Sequence, residues 1–193
     1  MHSNRLLFGW RGAPARRSFF LRRLCSCGAL LLWVTLAHAT GTYQAPEDFL
    51  REVFAGQVPA PKKLWITDEL KRQIDAIMDH DLGVLRLSYW ARDERTAWIL
   101  EEIGKEQPIT TGIVVNAGKV ERLKVLIFRE SRGWEIRHPF FTDQFHNVGL
   151  KPDTQLDRNI DGISGATLSV TAMKKLARLA LMLDAWVKDH AEH

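Results

Sequence analysis

Beyond Ala39 the sequence contains no cysteine, since Cys25 and Cys27 are the only two. Their absence excludes disulfides, thiolate nucleophiles, iron–sulfur clusters and C-x-x-C-H haem attachment from the downstream chain. No G-x-G-x-x-G occurs, so nothing supports a built-in dinucleotide site, and there is no G-x-S-x-G elbow for a serine hydrolase. Of the seven histidines, His2, His38, His190 and His193 lie near the termini. His80, His138 and His146 have neither H-x-x-x-H nor H-x-x-E-H spacing, so no metal site is expected. The pairs Asp93-Glu94 and Glu101-Glu102 read as solvated strand ends rather than a catalytic dyad, and no catalytic residue is expected.

Acidic residues are also missing from the N-terminal part, where Glu47 is the first. The first 39 residues carry six arginines, then an apolar run of 13 residues from Leu24 to Leu36, then Ala37-His38-Ala39. This order reads as a secretory signal over residues 1–39, cleaved after Ala39 and delivering the chain to the periplasm. The run is shorter than the ~20 apolar residues that span a bilayer. An uncleaved inner-membrane anchor is the alternative, because the uncharged stretch continues to Pro46. Arg16-Arg17-Ser18-Phe19-Phe20-Leu21 resembles a twin-arginine export signature, with Phe20 where leucine is usual. The whole chain has a formal charge of +4, but the part after Ala39 has 21 basic and 23 acidic residues, a net of −2. The basic character belongs to the leader, and a nucleic-acid partner is not expected.

The remaining pattern is α+β. Residues 40–66 read as a proline-bearing lead-in with one short helix at Phe49–Phe54, and residues 67–193 as the functional domain. Thr67 is placed to cap a helix over Asp68–His80, with Leu70, Ile74, Ile77 and Met78 on one face and Gly83 ending it. Two hairpins follow: Val84–Trp90 with Thr96–Ile103, and Ile109–Val115 with Val120–Phe128 around Asn116-Ala117-Gly118-Lys119. Trp134–Arg137 reads as a short strand and Pro139–Ile160 as a long functional loop. Val170, Met173, Leu176, Ala177, Ala180, Leu181 and Leu183 then mark a helix to about Lys188. The expected architecture is an antiparallel sheet flanked by helices. Trp90, Trp98 and Trp134 read as core or sheet-face packing.

The chemistry concentrates where that last helix begins, at Asp161-Gly162-Ile163-Ser164-Gly165-Ala166-Thr167. A helix N-terminus offers unpaired N–H groups and the positive end of the macrodipole, which suits a phosphate, and the glycines allow close approach of a ligand. Thr167 places a hydroxyl where a phosphate would rest. The plainer reading is that Ser164 or Thr167 is an N-cap. The heptad resembles the D-x-x-S/T-G-A-T motif of the FMN-binding domain family. That family includes flavin-bearing components of the sodium-translocating NADH:quinone reductase and of the related Rnf complex, together with stand-alone periplasmic flavoproteins. Upstream, Thr111-Gly112-Ile113, Gly118-Lys119-Val120, Glu130-Ser131-Arg132-Gly133, Phe141 and Gln144-Phe145 are similar to the family's further motifs in the same order. The similarity covers about Ile109 to Met182 and departs from the family at Asn147-Val148-Gly149.

The resemblance implies an electron carrier rather than a stand-alone enzyme. FMN would be held covalently as a phosphoester on Thr167, placed there by a flavin transferase using FAD, with electrons passing between membrane or periplasmic partners. It further implies that Asp161 is read by the transferase with the metal accompanying FAD, and that Ser164 orients the loop. The amides of Gly165, Ala166 and Thr167 would hold the phosphate. Phe141, Gln144 and Phe145 are expected against the isoalloxazine; the alternative is that the two phenylalanines plug the core. Trp134 is a second candidate for stacking on the flavin. The competing class is a non-redox periplasmic binding or regulatory module with an unmodified threonine. The export reading predicts a mature N-terminus at Thr40; Edman sequencing that returns Met1, or a chain retaining Leu24–Leu36, would select the anchored form.

Overall fold

The computed structural model describes residues 41–190. The expected leader, its cleavage point at Ala39, and His193 lie outside the described residues. Six antiparallel strands form one sheet in the order β1-β6-β5-β4-β3-β2. They are β1 (Gly41–Thr42), β2 (Lys62–Trp65), β3 (Arg86–Arg92), β4 (Arg95–Ile103), β5 (Pro108–Asn116) and β6 (Lys119–Phe128). Helices α1 (Pro46–Val53), α2 (Asp68–Met78), α3 (Pro139–Thr142) and α4 (Thr167–Asp189) complete an α+β fold. No helix among the described residues is long and apolar enough to cross a membrane.

Local chemistry accounts for the central hairpins. The β5–β6 turn needs positive φ at both middle residues, and Ala117 (48°) and Gly118 (72°) adopt it, so Asn116 pairs with Lys119 across a two-residue connection. Every residue of β5 between Pro108 and Asn116 is buried, which requires cover on both faces. Phe49, Leu50 and Phe54 of the lead-in pack with Ala97, Val114 and Leu126 on one face. Helices α2 and α4 pack with Trp98, Ile109, Ile113 and Leu123 on the other.

The segment expected as a lead-in therefore supplies more than a short helix. Its β1 pairs with β6 (Gly41 with Phe128) and its β2 pairs with β3 (Leu64 with Leu87), so it provides both edges of the sheet. Helix α2 is capped as expected, Thr67 accepting from the Leu70 N–H at 3.3 Å. It stops at Met78 because Asp79 turns left-handed at φ 62°, four residues before Gly83.

Three further expectations are corrected. Trp134–Arg137 is a 3-10 turn rather than a strand. The alternating pattern misleads because Gly133, left-handed at φ 83°, turns the chain into a single 3-10 turn whose Ile136 is buried in the core. Pro139–Ile160 is a loop only from His146 onward: α3 and a 3-10 turn at Asp143–Phe145 form its start, and Phe141, Phe145, Val148 and Ile160 are buried in the core. Glu102 is likewise not solvated. It is buried and meets His80 Nε2 at 2.8 Å. The Asp81 carbonyl at Nδ1, then the Glu102 carboxylate, hold the His80 pKa above the ordinary imidazole value.

Gly112 shows how closely α1 is seated. A Cβ built there would lie 2.6 Å from Phe49 Cε1. Gly112→Ala is expected to destabilise by about 1–3 kcal/mol through overpacking. Phe49→Leu introduced into that background should recover part of the loss in denaturant unfolding; strictly additive penalties would show that the two positions are uncoupled.

Candidate flavin site

The motif preceding α4 folds as a tight turn. The Ala166 N–H donates to the Ile163 carbonyl at 3.0 Å, with Gly165 at φ 80°. Helix α4 then starts at Thr167 with Ala166 in the N-cap position and no side-chain capping bond. Neither Ser164 nor Thr167 caps it, contrary to the plainer expectation. A helix start leaves its first N–H groups without intrahelical acceptors, so those of Thr167, Leu168 and Ser169 are left for a ligand or solvent. The Ala166 N–H, expected to hold phosphate, is instead committed to the turn. Thr167 is exposed at the mouth, with Asp161, Ser164 and Gly165 exposed beside it.

A cleft of about 540 Å³ opens at this point. One wall is Gly165–Ser169; the other comes from Lys105-Glu106 of the β4–β5 turn and Glu130-Ser131-Arg132 after β6. Glu130 fixes the second wall. Its Oε1 accepts from the backbone N–H groups of Lys105 (2.5 Å), Glu106 (2.6 Å) and Gln107 (2.9 Å). Burial raises the Glu130 pKa, but the three N–H donors and the Lys105 charge outweigh it, so the net direction is down.

Three backbones meet at Ser169. A Cβ at Gly133 would lie 3.1 Å from Ser169 Oγ and 3.3 Å from the Ala166 Cβ, and one at Gly104 would lie 3.3 Å from the same hydroxyl. Gly133 also needs its positive φ of 83°. This explains the Glu130…Gly133 spacing: the carboxylate clamps one turn and the glycine lets the next pass the helix. Reasoning from sequence missed Lys105, Gly104 and Ser169, which have no motif of their own, and placed Arg132 in a motif without giving it a part in the site; the β4–β5–β6 register brings them together.

The other expected residues are not all at the cleft. Phe141 and Phe145 have no exposed surface and pack edge to face at 5.5 Å, so the core-plugging alternative describes them. Gln144 is half-buried and accepts from the Asp161 N–H at 2.7 Å, holding the start of the motif. Trp98 is fully buried, whereas Trp134, next to Gly133, is 45% exposed. It meets His138 edge to face at 5.2 Å, with the Arg137 guanidinium 5.2 Å from its ring.

Residues 104–182, from Gly104 in the clamped turn into α4, match the family model described as the FMN-binding domain. The chain carries a domain of the FMN-binding domain family. No curated protein and no solved structure matches the chain. The cofactor of this domain is FMN. The cleft fits its phosphate through an uncapped helix start and an exposed hydroxyl, while its two cations, Lys105 and Arg132, are equalled in number by Glu106 and Glu130, Lys105 meeting Glu106 at 3.2 Å.

Glu130→Ala should cost about 1–2 kcal/mol at neutral pH, the scale of charge-assisted hydrogen bonds partly replaced by water. A carboxyl whose folded pKa is depressed contributes its stability above the unfolded value of about 4.3 and loses it as pH falls through the lower folded value. The gap between wild type and Glu130→Ala should therefore close below about pH 4. Urea unfolding that shows a gap independent of pH would refute the clamp.

Proposed function

We propose that the FMN-binding domain is an exported electron-transfer module carrying FMN as a phosphoester on Thr167. The observation behind this reading is the exposed threonine hydroxyl at a helix start that no side chain caps. In the loading step a flavin transferase uses FAD. A bond forms between Thr167 Oγ and the FMN phosphorus, the pyrophosphate bond breaks, AMP leaves, and the hydroxyl proton passes to a base of the transferase.

The N–H groups of Thr167, Leu168 and Ser169 would hold the phosphate, with Arg132 across the cleft, and Lys105 would have to exchange its Glu106 partner to join it. Asp161 stands outside the cleft, exposed, where an approaching transferase and its metal can reach it. Gln144 keeps it there through the Asp161 N–H. Trp134 lies outside the cleft lining, one residue past Gly133, where its exposed indole would offer an apolar face to a ring system reaching out of the cleft, the part that the sequence suggests for Phe141 or Phe145.

FMN supplies reversible one- and two-electron chemistry, and the chain orients it. With no dinucleotide fingerprint, electrons come from a membrane or periplasmic donor and pass to a similar acceptor. A covalent bond suits an exported protein, because a dissociable cofactor would be lost to the surroundings.

Co-expression with an exported flavin transferase, followed by intact mass, tests this reading. Wild type should gain one FMN-phosphoryl mass and keep a flavin spectrum after denaturation. Thr167→Ala should lose both with little change in stability, since its side chain caps nothing. Thr171→Ala is the control, because that hydroxyl already donates to the Thr167 carbonyl at 3.0 Å and should be dispensable. An unmodified wild type would favour the non-redox module.

A further inference from the structure

One turn along α4 from the cleft lies a second groove of about 540 Å³, between the helix and residues 151–160. Five cations line it, Lys151, Arg158, Lys174, Lys175 and Arg178, against two carboxylates. Both carboxylates are already matched: Asp79 to Lys175 at 3.0 Å and Asp157 to Lys119 at 2.6 Å. Lys151 reaches only Asp153, at 3.9 Å, and no carboxylate among the described residues pairs with Lys174 or Arg158. Buried Ile160 and half-buried Leu156 form an apolar floor. A concentrated positive groove is unexpected in a chain whose net charge after Ala39 is −2.

We infer that this groove docks an acidic polypeptide segment of the protein that exchanges electrons with the flavin, an inference that rests on the function proposed above. No aromatic ring lines the groove to stack a base, which argues against a nucleotide. Cations at the rim with aliphatic side chains beneath suit a peptide carrying carboxylates beside apolar residues. Position selects the partner. Thr171 lines the groove one turn along from Thr167, while Thr167 itself lies in the cleft. A transferase has to enclose the Thr167 hydroxyl. A redox partner needs only to approach the filled cleft, and the groove allows that without covering it.

The test uses the full chain with and without its flavin, loading being read by intact mass, and fluorescent oligoglutamate as the probe. Wild type should bind the probe saturably at low salt in both forms and lose it at high salt. The double variant Lys174→Glu/Arg158→Glu should bind about tenfold more weakly, two charge pairs being reversed, yet accept flavin to the wild-type extent. Undiminished binding by the variant overturns the proposal. So does binding to phosphatidylserine vesicles in place of oligoglutamate, which makes the groove a lipid site. Loss of loading in the variant, or blockage of loading by oligoglutamate, assigns the groove to the transferase and also overturns it. A wild type that takes no flavin refutes the function proposed above, while the binding comparison still decides whether the groove recognises acidic chains.

Discussion

The close approach of three backbones around Ser169 is the constraint on which the site depends. Gly104, Gly133 and the first turn of α4 meet so closely that a Cβ at either glycine would press on its neighbours, and Gly133 also needs its positive φ. That contact sets where the helix begins relative to the β4–β5 turn, and hence where Thr167 faces Lys105 and Arg132. The Glu130 carboxylate works in the same place by gathering three N–H groups that a bare turn would leave to water. A phosphate placed here, as the proposed function requires, would meet donors already oriented, which limits the ordering cost of holding it.

The rest of the molecule serves as a platform. Burying β5 on both faces makes the hairpins rigid, and α4 lies across them with Leu176, Ala177, Ala180 and Leu183 fully buried. One polar chain crosses this interior: Trp98 Nε1 donates to Thr96 Oγ1 at 2.9 Å, which donates to buried Asp184 at 2.7 Å. Lys188 answers the same carboxylate at 3.1 Å. Such a satisfied network fixes the rotation of the far end of α4 against β4, as the Ser169 contact fixes the near end.

Periodicity made the hairpins, α2 and the apolar face of α4 legible, because each carries its own turn or cap chemistry. The heptad at 161–167 pointed to Thr167 because a motif is local. What could not be read was whatever depends on strands far apart in sequence. Trp134–Arg137 alternates like a strand, but the turn at Gly133 and the burial of Ile136 in the core make it a 3-10 turn. Phe141 and Phe145 have the composition of either a binding loop or a core plug, and only the folded chain shows them sealed inside. Lys105, outside every motif, reaches the cleft through strand register alone.

The pairing of Gly41-Thr42 with Ile127 and Phe128 bears on the order in which the chain acquires its shape. The β5–β6 hairpin closes across two residues and can form early. The β1 strand has to return across nearly the whole sheet to find its place, a non-local step of the kind that slows folding. With only two residues paired, β1 is held by few contacts once it arrives. The ladder should therefore open and exchange its amide protons fastest at that edge, while β4, β5 and β6 stay protected up to global unfolding.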